Sequence, residues 1–215
     1  MSSPLAWRWL GRLAYEPALL AQRERRRAIL AGQEAEEIWL LEHEPVVTIG
    51  RREPADLDRA ALARQGLAVV PTERGGLATW HGPGQLVAYT LVRVQGRGFG
   101  PRSFVCAVEN TVIAWLAERE VVAGRRPGMP GIWVGRDKIC AVGLHMEGGV
   151  AMHGLALNLC PALEGFGLFT PCGIRDGGVT SLQRLRGSAP SPEEAAISLG
   201  PALSASLRSD LSCRG

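Results

Sequence analysis

The chain has 215 residues, 46% of them hydrophobic, with a net charge of +3 and five cysteines, enough apolar material for one domain spanning residues 1–215. No apolar run approaches the roughly 20 residues of a membrane helix, and no long apolar stretch near the start leads to a small-residue cleavage site, so a cytoplasmic protein without a membrane partner is expected. An odd cysteine count without C-x-x-C spacing argues against a disulfide framework and a zinc site, and the weak charge balance argues against nucleic acid as a partner.

Leu19, Leu20, Ile29 and Leu30 recur among charged residues between Tyr15 and Ala31, and Gly32 follows as a stop, which predicts a first helix. Its basic run, Arg23 to Arg27, reads as a solvated face. Ile38–Leu41 and Val46–Gly50 are β-rich and separated by His43, Glu44 and Pro45, as in successive strands joined by a turn. A short helix over Asp56 to Arg64 and a run at Val69–Thr72 lead into a glycine-rich segment, which exits through a buried strand at Leu86–Val92. Ser103 is placed to cap a helix with Phe104, Val108, Val112, Trp115 and Leu116 on its apolar face. After a turn-rich connection from Arg125 to Pro130, strands are expected at Gly131–Val134, Ile139–Leu144 and Val150–Leu159, with Gly148-Gly149 as a hairpin turn. Ser191-Pro192-Glu193-Glu194 combines an N-cap, a first-turn proline and a capping-box glutamate, opening a helix through Leu211. Strands grouped between helices, without strict alternation, predict an α+β fold with a mixed β-sheet flanked by helices.

Three segments carry chemistry. Arg74-Gly75-Gly76-Leu77-Ala78-Thr79-Trp80-His81-Gly82-Pro83-Gly84-Gln85 places four glycines from Gly75 to Gly84 among Arg, Thr, His and Gln, a mixture suited to a ligand-facing loop and matching neither a P-loop nor G-x-G-x-x-G. Cys172, between proline and glycine, sits in a turn that can present a thiol to a cleft, whereas Cys106, Cys140 and Cys160 lie in apolar contexts and read as packing. A thiol needs help to become a nucleophile. No histidine adjoins Cys172, and Lys138 heads an apolar stretch, either as a proton acceptor or as a surface residue. His153 and Asn158 add polar groups to an apolar strand, and core hydrogen bonding explains them equally well.

Arg74-Gly75-Gly76 through His81-Gly82-Pro83-Gly84-Gln85, Lys138 to Gly143, His153 to Asn158, Pro171-Cys172-Gly173-Ile174 and Gly178 to Leu182 together resemble the lipoyl/octanoyl transferases, in the order of that family's blocks. The resemblance implies a fold similar to the catalytic domain of biotin and lipoate protein ligases. It also implies transfer of an octanoyl group from octanoyl-acyl carrier protein, through a cysteine thioester, to a lysine of lipoyl domains. The acceptors it implies are those of 2-oxoacid dehydrogenase complexes and the glycine cleavage H protein, with no cofactor and no metal. Cys172 would carry the acyl group and Lys138 would tune it. Arg74, Gly75, Gly76, Leu77, Ala78, Thr79, Trp80, His81, Ala141, Val142, Gly143, Gly154, Leu155 and Ala156 would line the substrate site. Backbone N–H groups near Gly173 or the Arg74 to Gly76 loop are candidate oxyanion donors, and Leu77, Trp80, Val142 and Leu155 are candidates for the floor of the acyl slot. The alternative is an ATP-dependent lipoate or biotin protein ligase of the same fold, which needs no cysteine nucleophile.

Overall fold

The computed structural model describes residues 5–52, 57–168 and 176–208. Cys172, with its neighbours from 169 to 175, and Cys213 lie outside the described residues. Among the described residues, ten strands form two sheets. The larger contains β1 (Ala6–Leu13), β2 (Glu37–His43), β6 (Gln85–Leu91), β7 (Gly124–Arg126), β8 (Met129–Val134), β9 (Asp137–Glu147) and β10 (Val150–Asn158), in the order β1-β2-β6-β10-β9-β8-β7. The smaller contains β3 (Val46–Ile49), β4 (Ala68–Pro71) and β5 (Ala78–His81), in the order β4-β3-β5. Both are mixed, because β1 runs parallel to β2 and β3 parallel to β4 while the other ladders are antiparallel.

The helix α1 (Tyr15–Leu30) makes the crossover that parallel β1 and β2 require. It covers one face of the large sheet, where Tyr15, Leu19 and Ile29 pack with Trp39, Leu41, Val87, Tyr89 and Met152. α3 (Pro101–Ala117) and α5 (Pro192–Ser206) cover the opposite face, where Phe104, Val108, Val112, Leu199 and Leu203 meet Ile38, Leu40, Leu86 and Ala88. Alternate residues of β2 and β6 thus serve two cores, so both strands are buried along their whole length. Beneath the small sheet, α2 (Arg59–Arg64) and Phe166 close a third cluster with Val47, Ile49, Ala78 and Trp80. A short α4 (Leu182–Arg186) completes the helices.

Several sequence expectations shift. β2 and β3 are not paired: the chain between them turns from one sheet into the other. β1 is a strand that the Trp7-Arg8-Trp9 pattern did not reveal, β5 lies within the run read as one polar loop, and β7 begins the turn-rich connection. α3 starts at Pro101, with Gly100 at the N-cap and the Ser103 hydroxyl accepting from the Gly100 N–H. The Gly148-Gly149 turn is present, both glycines having positive φ. Nor is the arginine run of α1 simply solvated. Arg23 pairs with Glu73, Arg25 with Glu34 and Glu37, and Arg26 with Glu147, tying the helix to the ends of β2 and β9 and to connecting segments beside them.

Candidate functional site

Between the large sheet and the small one lies a cavity of about 400 Å³, within the size range of small-molecule sites. Strand alternation decides which residues reach it. On β5, Thr79 and His81 line the cavity while Ala78 and Trp80 turn to the third cluster, where the Trp80 ring stands edge-on to Phe166. Ala78 and Trp80 therefore stand off the cavity wall, contrary to the expectation from the contiguous motif, and Trp80 is not its floor. On β9, Ala141, Gly143 and His145 alternate with Val142, Leu144 and Met146, and all six line the cavity. β8 pairs with β9 only as far as Cys140, so beyond that point the cavity reaches both faces of β9. Arg74, Gly75, Gly76, Leu77, Gly154, Leu155 and Ala156 complete the set of expected residues on its wall.

Glycines bring the walls together. A Cβ on Gly154 would stand 2.0 Å from the Ala88 carbonyl oxygen, and one on Gly50 would stand 2.5 Å from the Gly76 oxygen. The Arg74 guanidinium, almost fully buried, clamps this loop to β3 by donating to the Thr48 carbonyl at 2.8 Å, the Thr48 hydroxyl at 2.9 Å and the Gly75 carbonyl at 3.0 Å. The Gly75 N–H donates to the Leu144 carbonyl, so it is already engaged and is not a free oxyanion donor.

Lys138 enters the cavity wall from the start of β9. Its side chain is buried, and its Nζ donates to the Pro130 carbonyl at 2.9 Å and stands 4.8 Å from the Trp133 ring centroid. No carboxylate pairs with it among the described residues. The segment that follows residue 175 is fastened to the same strand: Lys138 N–H donates to the Gly178 carbonyl, Thr180 N–H donates to the Lys138 carbonyl, and Gly178 N–H donates to the Asp137 carboxylate. Cys140, two residues along, faces the α3 core, fully buried, and burial pushes its thiol far above the ordinary range. It has neither the exposure nor the ionisation of a nucleophile.

A family description, the lipoyl protein ligase A/B catalytic domain, matches residues 12–203. The chain belongs to this family. A relative named octanoyltransferase from Thiobacillus denitrificans is 44% identical over 181 residues, covering 84% of this chain and 81% of that protein. Another of that name from Methylococcus capsulatus is 44% identical over 183 residues, covering 83% and 84%. Among solved structures, a lipoate protein ligase of T. acidophilum with bound lipoic acid superposes with a TM-score of 0.77 at 18% identity, covering 95% of this chain and 86% of that one. Biotin protein ligase from Aquifex aeolicus, in complex with biotin and ATP, gives 0.55 at 13% identity, covering 94% and 70%. The mixed-sheet α+β fold is thus one that lipoate and biotin protein ligases share.

The cavity also gathers residues that sequence reasoning passed over. Both tyrosines of the chain, Tyr15 and Tyr89, stand on its wall. Burial pushes the Tyr15 hydroxyl up to about 12 and raises that of Tyr89 well above its usual range. A lone tyrosine in an aliphatic strand was the available signal for Tyr89. His153 is buried with φ +62, a conformation rare outside glycine. It is held there by Gln22, which accepts from its N–H, and by Thr90, whose hydroxyl donates to its carbonyl. Among the described residues, neither ring nitrogen has a hydrogen-bond partner; Nε2 lies 3.7 Å from Glu73, beyond hydrogen-bond reach. With His153 Nε2 facing it at 3.7 Å and the Arg23 guanidinium bonded to it at 2.9 and 3.0 Å, the Glu73 carboxyl is held well below the usual carboxylate range. Among the described residues, no group of three His, Cys, Asp or Glu side chains is arranged to hold a metal, and no helix is long and apolar enough to cross a membrane.

Proposed function

We propose that the protein transfers an octanoyl group from octanoyl-acyl carrier protein to a lysine of a lipoyl domain, through a thioester on Cys172. The observation that carries this reading is the buried amine of Lys138 in the cavity wall, on the strand to which the segment just after Cys172 is hydrogen bonded. Relatives named octanoyltransferase, 44% identical across most of the chain, support the same chemistry.

In the first half-reaction, the Cys172 proton passes to Lys138 and the thiolate attacks the donor thioester. The bond to the phosphopantetheine sulfur breaks, and the departing thiolate takes the proton back from Lys138. In the second, the acceptor lysine loses a proton to Lys138, which passes it on to water, and its neutral amine attacks the enzyme thioester; as the amide forms, its nitrogen sheds a second proton to the departing Cys172 thiolate, so the thiol and the neutral Lys138 amine are restored. Thiol-for-thiol exchange is nearly balanced, and the amide draws the sequence forward without ATP. The cavity is lined along its length by Leu77, Val87, Val142, Leu144, Leu155 and Ala156. Burying seven methylene and methyl groups at ~0.8 kcal/mol each amounts to about 5 to 6 kcal/mol, enough to select eight carbons over very short chains.

The whole chain acts as one catalytic unit in the cytoplasm, its acceptors the lipoyl domains of 2-oxoacid dehydrogenase complexes and the glycine cleavage H protein. The test is transfer to an isolated lipoyl domain, with octanoyl-carrier protein supplied in one arm and free octanoate plus ATP in the other. Activity in the first arm that Cys172→Ala abolishes supports the proposal. Activity confined to the ATP arm and retained by Cys172→Ala would make the protein a ligase.

A further inference from the structure

We propose that Gln85 and Asn158 are positioning residues of the transfer reaction, links in a one-way chain of hydrogen bonds that runs from Arg74 in the glycine-rich loop to the main chain of Lys138. The kinetic part of this inference rests on the proposed octanoyl transfer; the direction of the chain rests on geometry alone.

Two main-chain carbonyls, which only accept, fix that direction. Gln85 Nε2 donates to the Trp80 carbonyl at 3.3 Å and to Asn158 Oδ1 at 2.9 Å, so Gln85 Oε1 is the atom that faces His81 Nδ1 at 2.7 Å. His81 must therefore carry its proton on Nδ1 and present a bare Nε2. Asn158 Nδ2 likewise donates to the Thr180 carbonyl at 3.0 Å, which turns its Oδ1 toward Gln85. Upstream, the Thr48 hydroxyl receives Arg74 N–H groups at 2.9 and 3.3 Å and lies 3.3 Å from His81 Nε2, so its own proton points to that nitrogen. Downstream, Thr180 N–H donates to the Lys138 carbonyl at 3.0 Å.

Every member from Arg74 to Thr180 is buried, so water cannot replace a lost link without entering the core. Gln85 and Asn158 also share with Lys138 the wall of a void of about 10 Å³. Removing either amide cuts the link between the strand carrying Lys138 and the loop that faces the substrate, and removing that of Gln85 also releases the tautomer of His81. Displacements near 1 Å of a reacting group slow turnover about 100-fold.

Two measurements decide the matter. Nitrogen-15 NMR of the unmodified protein should find His81 as the Nδ1–H tautomer, and an Nε2–H tautomer overturns the chain. Gln85→Leu and Asn158→Leu should lower kcat by about 10- to 100-fold with the KM for octanoyl-carrier protein changed less than about 3-fold. A folded variant with unchanged kcat overturns the positioning role. Asn158→Ser, which keeps a donor and an acceptor on a shorter arm, stands in should Asn158→Leu not fold, with the same two outcomes. Loss of transfer in the unmodified protein would defeat the functional proposal and leave the NMR result to judge the chain.

Discussion

Replacing Gly154 by alanine tests the sheet geometry from which the cavity is built. Gly154 pairs with Tyr89 on β6 and with Gly143 on β9, at the centre of the large sheet. An added Cβ would stand 2.0 Å from the Ala88 carbonyl oxygen and 3.1 Å from its carbon. Both atoms are backbone, so no rotamer change relieves the overlap, and β10 must part from β6 by more than an ångström. Overpacking of a core commonly costs ~1–3 kcal/mol. A backbone clash at the sheet centre belongs at or above the top of that range, so about 3 kcal/mol is expected. With a urea m-value of ~2 kcal/mol/M, that is a midpoint lowered by about 1.5 M. Gly124→Ala serves as the control, since nothing lies within 4 Å of its added Cβ, and its midpoint should stay level or rise slightly. A Gly154→Ala midpoint equal to that of the unmodified protein would refute the strand spacing and the cavity wall that depends on it.

Acid should destabilise the protein below pH 6.5 through its buried histidines. Burial lowers His43 to about 4 and depresses His81 and His153 as well. The unfolded chain therefore binds more protons between pH 6.5 and 4, and stability, complete above 6.5, falls across that window. His43 alone contributes on the order of 3 kcal/mol, and His43→Gln should flatten the melting-temperature profile there. Arg125→Ala should lower stability by about 1–3 kcal/mol in urea, because it strips the buried Glu109 carboxylate of its 2.6 Å partner and leaves it only the Gly131 N–H. Cys140→Ala should keep transfer within about 3-fold of the unmodified rate while losing roughly 1–2 kcal/mol of stability, as befits a packing residue; abolished transfer would contradict its placement.

The sequence made the central elements legible because their signals are local. α1 ends where Gly32 stops it, α5 opens with the Ser191–Glu194 box, and β6 and β10 are mostly apolar runs. β1 hid because an edge strand with Arg8 and Arg12 among its apolar residues, and Gly11 breaking the register, lacks a clean alternation. β5 hid because the burial of Thr79 and His81 comes from pairing with β3, whose Thr48 lies opposite Thr79 and 33 positions in sequence from His81. A contiguous motif names the neighbourhood of a site, while strand alternation chooses its members. For that reason Thr79 and His81 reach the cavity, Ala78 and Trp80 do not, and Tyr15, remote in sequence, and Tyr89, just past the motif, do.

In the proposed reaction the acyl group rests on Cys172 on its way to the acceptor. Intact-mass and peptide mass spectrometry after mixing the protein with octanoyl-carrier protein, with no lipoyl domain present, measures this directly. The account predicts a gain of ~126 Da confined to the peptide containing Cys172 and discharged when a lipoyl domain is added. A protein that transfers octanoyl groups yet carries no such increment, or carries it on another residue, would contradict it.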